Sequence, residues 1–243
     1  SFIYHAFINR QQRKCIETIR EQSSADDYVV VQIDLAENHK FVRQREPQSA
    51  HWNTDQAALF TVHLKIGKQH RCMVLISDYM NHDSKLVWLA QEHIANFVKK
   101  QYPEVKKINY VRYVGIIILP GTTGHGKGPC DGIGATVKAT ATRATLQGHP
   151  DTNFQSALDF WSFTFDKNDR SQLNEPCPIE CYFVPKEQVE KVNREVLERR
   201  CSQITSNNKL QGIRKYHQFD PQPNETIFCR TVSLSNDYFS HSY

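Results

Sequence analysis

The run YVVVQID at residues 28–34 constrains the chain more than any other segment. Its four β-branched residues stand without a breaker and without a charge until the final carboxylate, Asp34. Such a run packs as a strand buried in a sheet, because branched side chains suit a pleated surface and an unrelieved apolar stretch must be covered. The reading therefore places a buried strand over 28–34 that ends on an acid. Two more strand-like runs follow at 58–66 and 72–77, separated by GKQH at 67–70, which reads as a four-residue hairpin connection. Residues 85–102 bring Leu86, Leu89, Ile94, Phe97 and Val98 to one face of a helix that Pro103 stops, and a strand over 107–113 comes next. The apolar run IIIL at 116–119 can extend that strand.

The flanks are less regular. Residues 3–21 space Ile8, Cys15, Ile16 and Ile19 as the buried stripe of an amphipathic helix. Residues 37–56 are polar and aromatic and read as an excursion from the sheet. Residues 154–166 suit a short helix or strand with Trp161 and Phe163 as core candidates, and 186–200 form a charged helix. A tail over 212–232 contains one strand at 226–232.

Composition narrows the class. The 243 residues are 39% hydrophobic and 23% charged, which excludes a disordered or collagenous chain, and no run reaches the ~18 apolar residues of a membrane-spanning helix. A net charge of +4 does not by itself declare a nucleic-acid binder. The seven cysteines are odd in number and widely spaced, and no apolar signal core precedes them, so an intracellular, reducing compartment is expected. Cys177 and Cys181 form the one close pair; a zinc site would need two further ligands at zinc spacing, which the sequence does not display.

Six of the ten glycines fall between 121 and 134, ahead of an Ala- and Thr-rich helix that opens at Asp131 or Gly132. An acid in that first turn complements the helix dipole. The spacing is neither a Walker loop nor a dinucleotide fingerprint, so no nucleotide cofactor is expected. Two readings of the loop stay open: a structural turn, or a loop that lets His125 and Lys127 approach a phosphate. From 125 to 143 the segment carries Lys127, Lys138 and Arg143 against the single acid Asp131, a small basic patch. His51 and Trp52 can stack on a base or fill the core. His39, Lys40, Arg43 and Arg45 can face a phosphate backbone or solvent.

A strand ending in Asp34, an antiparallel hairpin, a helix and a returning strand is the layout of an RNase H-like core. DLAEN at 34–38, QSAHW at 48–52, ISD at 76–78, HGKGPCDGIG at 125–134 with Val137, Lys138 and Arg143, YFVPKE at 182–187 and GIRKYH at 212–217 together resemble a widespread family of uncharacterised proteins derived from DNA transposons. The resemblance runs in order from 28 to 232, and the glycine-rich string is its most specific part. It implies an α/β fold, an RNase H-like mixed sheet flanked by helices with a C-terminal α+β extension, of the DDE-type transposase or integrase class. It further implies a nuclear, DNA-binding protein in which acidic residues hold Mg²⁺ or Mn²⁺ for in-line attack on a phosphodiester. Carried over residue by residue, Asp34 is the first ligand and Asp131 a candidate for the last, with His125, Lys127, Lys138, Arg143, His51 and Trp52 facing DNA.

One departure carries as much information as the matches. Members of that family place a Ser-Asp-Gly at the end of the strand equivalent to 109–111, whereas here no acid occurs between Glu104 and Asp131. Thirteen residues separate Val111 from His125, too few for a strand, a helix and their turns. Asp78 is the nearest substitute, expected at the edge of the sheet and roughly 10 Å from Asp34 across an intervening strand. The expectation is thus an N-terminal helix at 1–27, a core at 28–148 and an extension at 149–243, with two-metal chemistry impaired; an inactive, domesticated protein-interaction module is the alternative.

Overall fold

The computed structural model describes residues 2–23, 28–42, 55–111, 128–148, 153–171, 178–202, 210–223 and 225–242. Packing divides the chain into two units, one formed by Ser23–Val114 with Gly126–Asn193, the other by Ser1–Gln22, Gly115–His125 and Arg194–Tyr243.

The larger unit is mixed α/β. Strands β1 (Tyr28–Lys40), β2 (Gln56–Ile66) and β3 (Gln69–Ser77) form an antiparallel meander. Helix α2 (Ser84–Gln101) leads to β4 (Lys107–Val111), which returns parallel to β1. Helices α3 (Pro129–Gln147) and α4 (Ala157–Ser171) precede β5 (Ile179–Val184), which pairs parallel to β3, and α5 (Lys186–Val192) follows. The sheet order is β4-β1-β2-β3-β5. Three sequence expectations change here. The β2–β3 turn is the two residues Gly67 and Lys68, with Gly67 at φ 57°, a left-handed conformation that glycine adopts without a Cβ penalty. Strand β3 is interior, because β5 covers its outer side; the motif at 182–187 had given no sign of that pairing. Strand β1 continues six residues beyond Asp34.

That continuation has a local cause. The β1–β2 register slips between Ala36 and His39, which shifts the alternation of side chains by one. Before the slip, Val29, Val31, Ile33 and Leu35 point to the face covered by α2 and α5, where Phe60, Leu64, Met73, Leu75, Leu89 and Ile94 make the principal core. Val30, Gln32, Asp34 and Ala36 alternate to the opposite face. After it, His39 and Phe41 are buried with Phe160 on that opposite face, which α3 and α4 cover. Within α4 the fully buried ring is Phe160, while Trp161 and Phe163 are half-buried.

The helix ends are chemically marked. Asp83 caps α2 by accepting from the Lys85 and Leu86 amides at 3.0 and 3.4 Å, and its other oxygen accepts from the Tyr79 hydroxyl at 2.6 Å. Asp78 accepts from the Lys186 amide at 2.6 Å and so serves the start of α5, where Pro185 has no capping side chain of its own. Helix α3 starts at Pro129, whose missing N–H costs nothing at that position.

Helix α3 buries Cys130, Ile133, Gly134, Val137, Ala141 and Thr145, a stripe of mostly small residues. Small side chains let its axis lie close to the sheet. A Cβ on Gly134 would stand 3.5 Å from the Ala36 Cβ and 3.6 Å from the Thr61 Cγ2.

In the smaller unit, α1 (Phe2–Gln22) buries Ile8, Cys15 and Ile16 as the spacing predicts. Helix α6 (Glu198–Cys201) and a three-stranded antiparallel sheet, β6 (Gln218–Gln222), β7 (Thr226–Arg230) and β8 (Phe239–Ser242), also belong to this unit. Arg230 pairs with Asp220 across β6 and β7, and Gln12 of α1 meets His217 Nδ1 at 3.0 Å. No helix of the described residues is long and apolar enough to cross a membrane.

The spacing at Gly134 yields a prediction. Gly134→Ala meets its neighbours at ordinary contact distance and removes a helix-weakening residue, so urea unfolding gives unchanged or increased stability, by up to about 1 kcal/mol. Gly134→Leu drives its extra carbons into Ala36 and Thr61 and lowers stability by about 1–3 kcal/mol.

Candidate functional site

Asp34 lies in the middle of β1 rather than at its end, opposite Thr61 of β2. Among the described residues its strand pairs parallel with β4 from Tyr28 with Lys107 to Gln32 with Val111, two residues before it. The alternation of β1 aims it at the face that α3 covers, beside Gln32 and Ala36. Asp34 is half-buried, and the Thr61 hydroxyl donates to its backbone carbonyl at 3.2 Å.

The first turn of α3 comes down onto this spot. The Cys130 thiol donates to the Gln32 carbonyl at 3.3 Å, which ties the helix start to β1 just before Asp34. Burial, chiefly, pushes the Cys130 thiol up to about 12; the Asp34 carboxylate adds to the rise, Asp131 adds less, and hydrogen bonds with Thr61 and His63 oppose it. Both carboxylates therefore act on one sulfur, which stays protonated at neutral pH and serves packing rather than nucleophilic chemistry. Around it the sheet surface is polar: Gln32, Thr61 and His63 are all buried, and Gln32 Oε1 has no hydrogen-bond partner among the described residues. His63 Nε2 lies 3.0 Å from His70 Nδ1.

Asp131 is exposed on the first turn, and its Oδ2 accepts the Gly128 amide at 2.7 Å. It is a helix cap as it stands, with one carboxylate oxygen engaged by the backbone. Lys138 donates from Nζ to the Glu37 carbonyl, so its charge is held beside β1, while Arg143 is exposed further along α3. The structure thus brings Asp34, Asp131 and Lys138 to one face of the sheet. His125, Lys127, His51, Trp52, Arg43, Arg45 and Cys177 lie outside the described residues. Asp78, the substitute carboxylate considered above, caps α5.

His39 does not face a phosphate backbone. It is 7% exposed, with its ring 4.9 Å from Phe160 and 5.9 Å from Phe41. The register slip turned it inward, which residue type alone could not reveal. Burial, and to a lesser degree the charge of Lys138, lowers its pKa to about 4. Sequence reasoning also passed over Gln32, Thr61, His63 and Cys130 as neighbours of Asp34. A period-two reading of β1 would have paired Gln32 with Asp34, but the others required the β2 register and the docking of α3.

Among the described residues no cluster of three or more His, Cys, Asp or Glu is placed to hold a metal ion. Two carboxylates, one of them spending an oxygen on a cap, do not fit a pair of divalent ions about 4 Å apart, each of which wants several oxygen ligands. A family model described as a domain of unknown function, DUF8701, matches residues 12–113 and 121–233. No curated protein matches the chain, and no solved structure does.

The buried imidazole sets an acid limit on stability. The folded pKa near 4 lies below the ordinary 6.5, so the unfolded chain binds the proton first as pH falls. The His39 contribution is intact above about pH 6.5 and is lost progressively toward pH 4, an effect of up to about 3 kcal/mol. Urea midpoints taken from pH 7 to pH 4 show this slope, and His39→Leu flattens it.

Proposed function

The chain belongs to the DUF8701 family, a domain family of unknown function, and from that premise we propose that it is a transposase-derived DNA-binding protein with an RNase H-like core, impaired in two-metal phosphodiester cleavage and strand transfer. The observation that carries this reading is the seat of Asp34. It stands on the first strand of an antiparallel meander, interior to the sheet, beside a parallel neighbour reached through a helix, and faces a later helix that brings Asp131. That arrangement suits carboxylates meant to share an ion, and their hard oxygens suit Mg²⁺ or Mn²⁺. The impairment follows from the donor set, since no acid occurs from 105 to 130 and Asp131 is occupied as a cap.

DNA would be met through its phosphates. Arg143 offers an exposed guanidinium on α3, and Lys138 lies on the same helix near Asp34. A specific observation favours the second reading, an inactive protein-interaction module: one N–H of the Lys138 ammonium is engaged by the Glu37 carbonyl, which draws the side chain onto β1.

Fluorescence anisotropy with a labelled 20-base-pair duplex separates the two. The DNA reading gives binding that weakens steeply between 50 and 200 mM salt; Lys138→Ala and Arg143→Ala each weaken it several-fold and lower the salt slope by about one. Binding that ignores salt and both substitutions leaves the interaction module. Plasmid nicking with Mg²⁺ or Mn²⁺ is expected at background level and unchanged by Asp34→Ala. Robust cleavage that Asp34→Ala abolishes would overturn the impairment.

A further inference from the structure

We propose that the β6–β7–β8 sheet is a stacking surface for single-stranded nucleic acid, separate from the α3 face. The cross-strand register aligns Phe219 with Cys229 and Cys229 with Phe239, so these three side chains share one face of the sheet. Cys229 in the middle is 1% exposed, whereas Phe219 and Phe239 on either side are 42% and 51% exposed. Tyr216, two residues before β6, places its ring 6.2 Å from Phe219 and 6.1 Å from Phe239, within 22° of parallel to the latter. Two phenylalanines two strands apart, about 10 Å, with a tyrosine between them make a plate of aromatic rings open to solvent.

The reverse face holds the plate in shape. There Phe228 stacks on Tyr238 at 4.1 Å and 23°, and Arg230, paired with Asp220, lies over the Tyr238 ring at 5.6 Å. The sheet is therefore braced before any ligand arrives, and its exposed rings lose little freedom on binding.

Charge selects the occupant. The three segments of this unit carry 11 Lys and Arg against 7 Asp and Glu, while the segments of the larger unit carry 19 of each. The +4 excess of the chain therefore lies in segments 1–22 and 194–209 of this unit, +2 in each, while 210–243, which bear the aromatic plate, carry three basic and three acidic residues. Lys215 is exposed immediately before Tyr216, and Arg10, Arg13 and Lys14 are exposed on α1 of the same unit. A partner that offers flat π-faces along an anionic backbone meets both features, and single-stranded nucleic acid is that partner. A duplex keeps its base faces stacked internally, so it gains from the charge and little from the rings.

The test uses the full chain and two fluorescein-labelled probes, dT20 and a 20-base-pair duplex, at one salt concentration. The wild type binds dT20. The double variant Phe219→Ala/Phe239→Ala weakens dT20 binding by about 10-fold or more and changes duplex binding less than about twofold. Phe219→Tyr/Phe239→Tyr, which keeps the rings, retains dT20 binding. If circular dichroism shows the double alanine variant unfolded, Phe239→Ala alone serves, with a loss of about fivefold. Lys138→Ala and Arg143→Ala report on the α3 face; acting through phosphates, they weaken duplex and dT20 by similar factors, whereas the double alanine variant acts on dT20 alone, so failure there is distinguishable from failure here. Absence of dT20 binding, or equal loss on both probes in the double alanine variant, overturns the proposal. So does wild-type self-association that the double variant abolishes, which would assign the plate to a second copy of the chain.

Discussion

The close seat of α3 on β1 and β2 is the contact on which the candidate site depends. Gly134 leaves room for nothing larger than a methyl group before Ala36 and Thr61 are met, and the Cys130 thiol fastens the turn before it to the Gln32 carbonyl. Together they set the height of the helix start above Asp34. A bulkier stripe on α3 would lift that turn and separate the two acids, whatever their identity.

The same turn shows a conflict between folding and chemistry. Helix α3 begins with a proline and a glycine, neither of which has a side chain to satisfy the amides of its first turn. Asp131 supplies one acceptor, and in doing so it directs one oxygen away from any ion. Lys138 is treated alike: its ammonium closes a contact with the Glu37 carbonyl that binds helix to strand. Residues suited to metal and phosphate chemistry are here partly consumed in holding the fold. The net charge of the chain, meanwhile, lies with the smaller unit.

Much of this was readable along the chain. The β-branched run over Val29–Val31, the apolar spacing in α2 with Pro103 beyond it, and the stripe of Ile8, Cys15 and Ile16 each follow from local periodicity, and each appears where expected. What escaped reading has a common cause. The slip after Ala36 turns His39 and Phe41 inward, and only the pairing with β2 creates it. The edge strand β5 and the helix-capping duty of Asp78 both arise from residues more than 100 positions apart.

Sequence by itself determined which residue types were available: a carboxylate on a buried strand, another at the start of a small-residue helix, no acid from 105 to 130, and aromatic residues dispersed near the end of the chain. Tertiary structure decided what they do. It set Asp34 beside Cys130 rather than at a strand end, spent Asp131 on a cap, and gathered Phe219, Tyr216 and Phe239 onto one face. The physical reason is that periodicity specifies the face a residue occupies on its own element, whereas register and helix height, set by contacts distant in sequence, specify its neighbours.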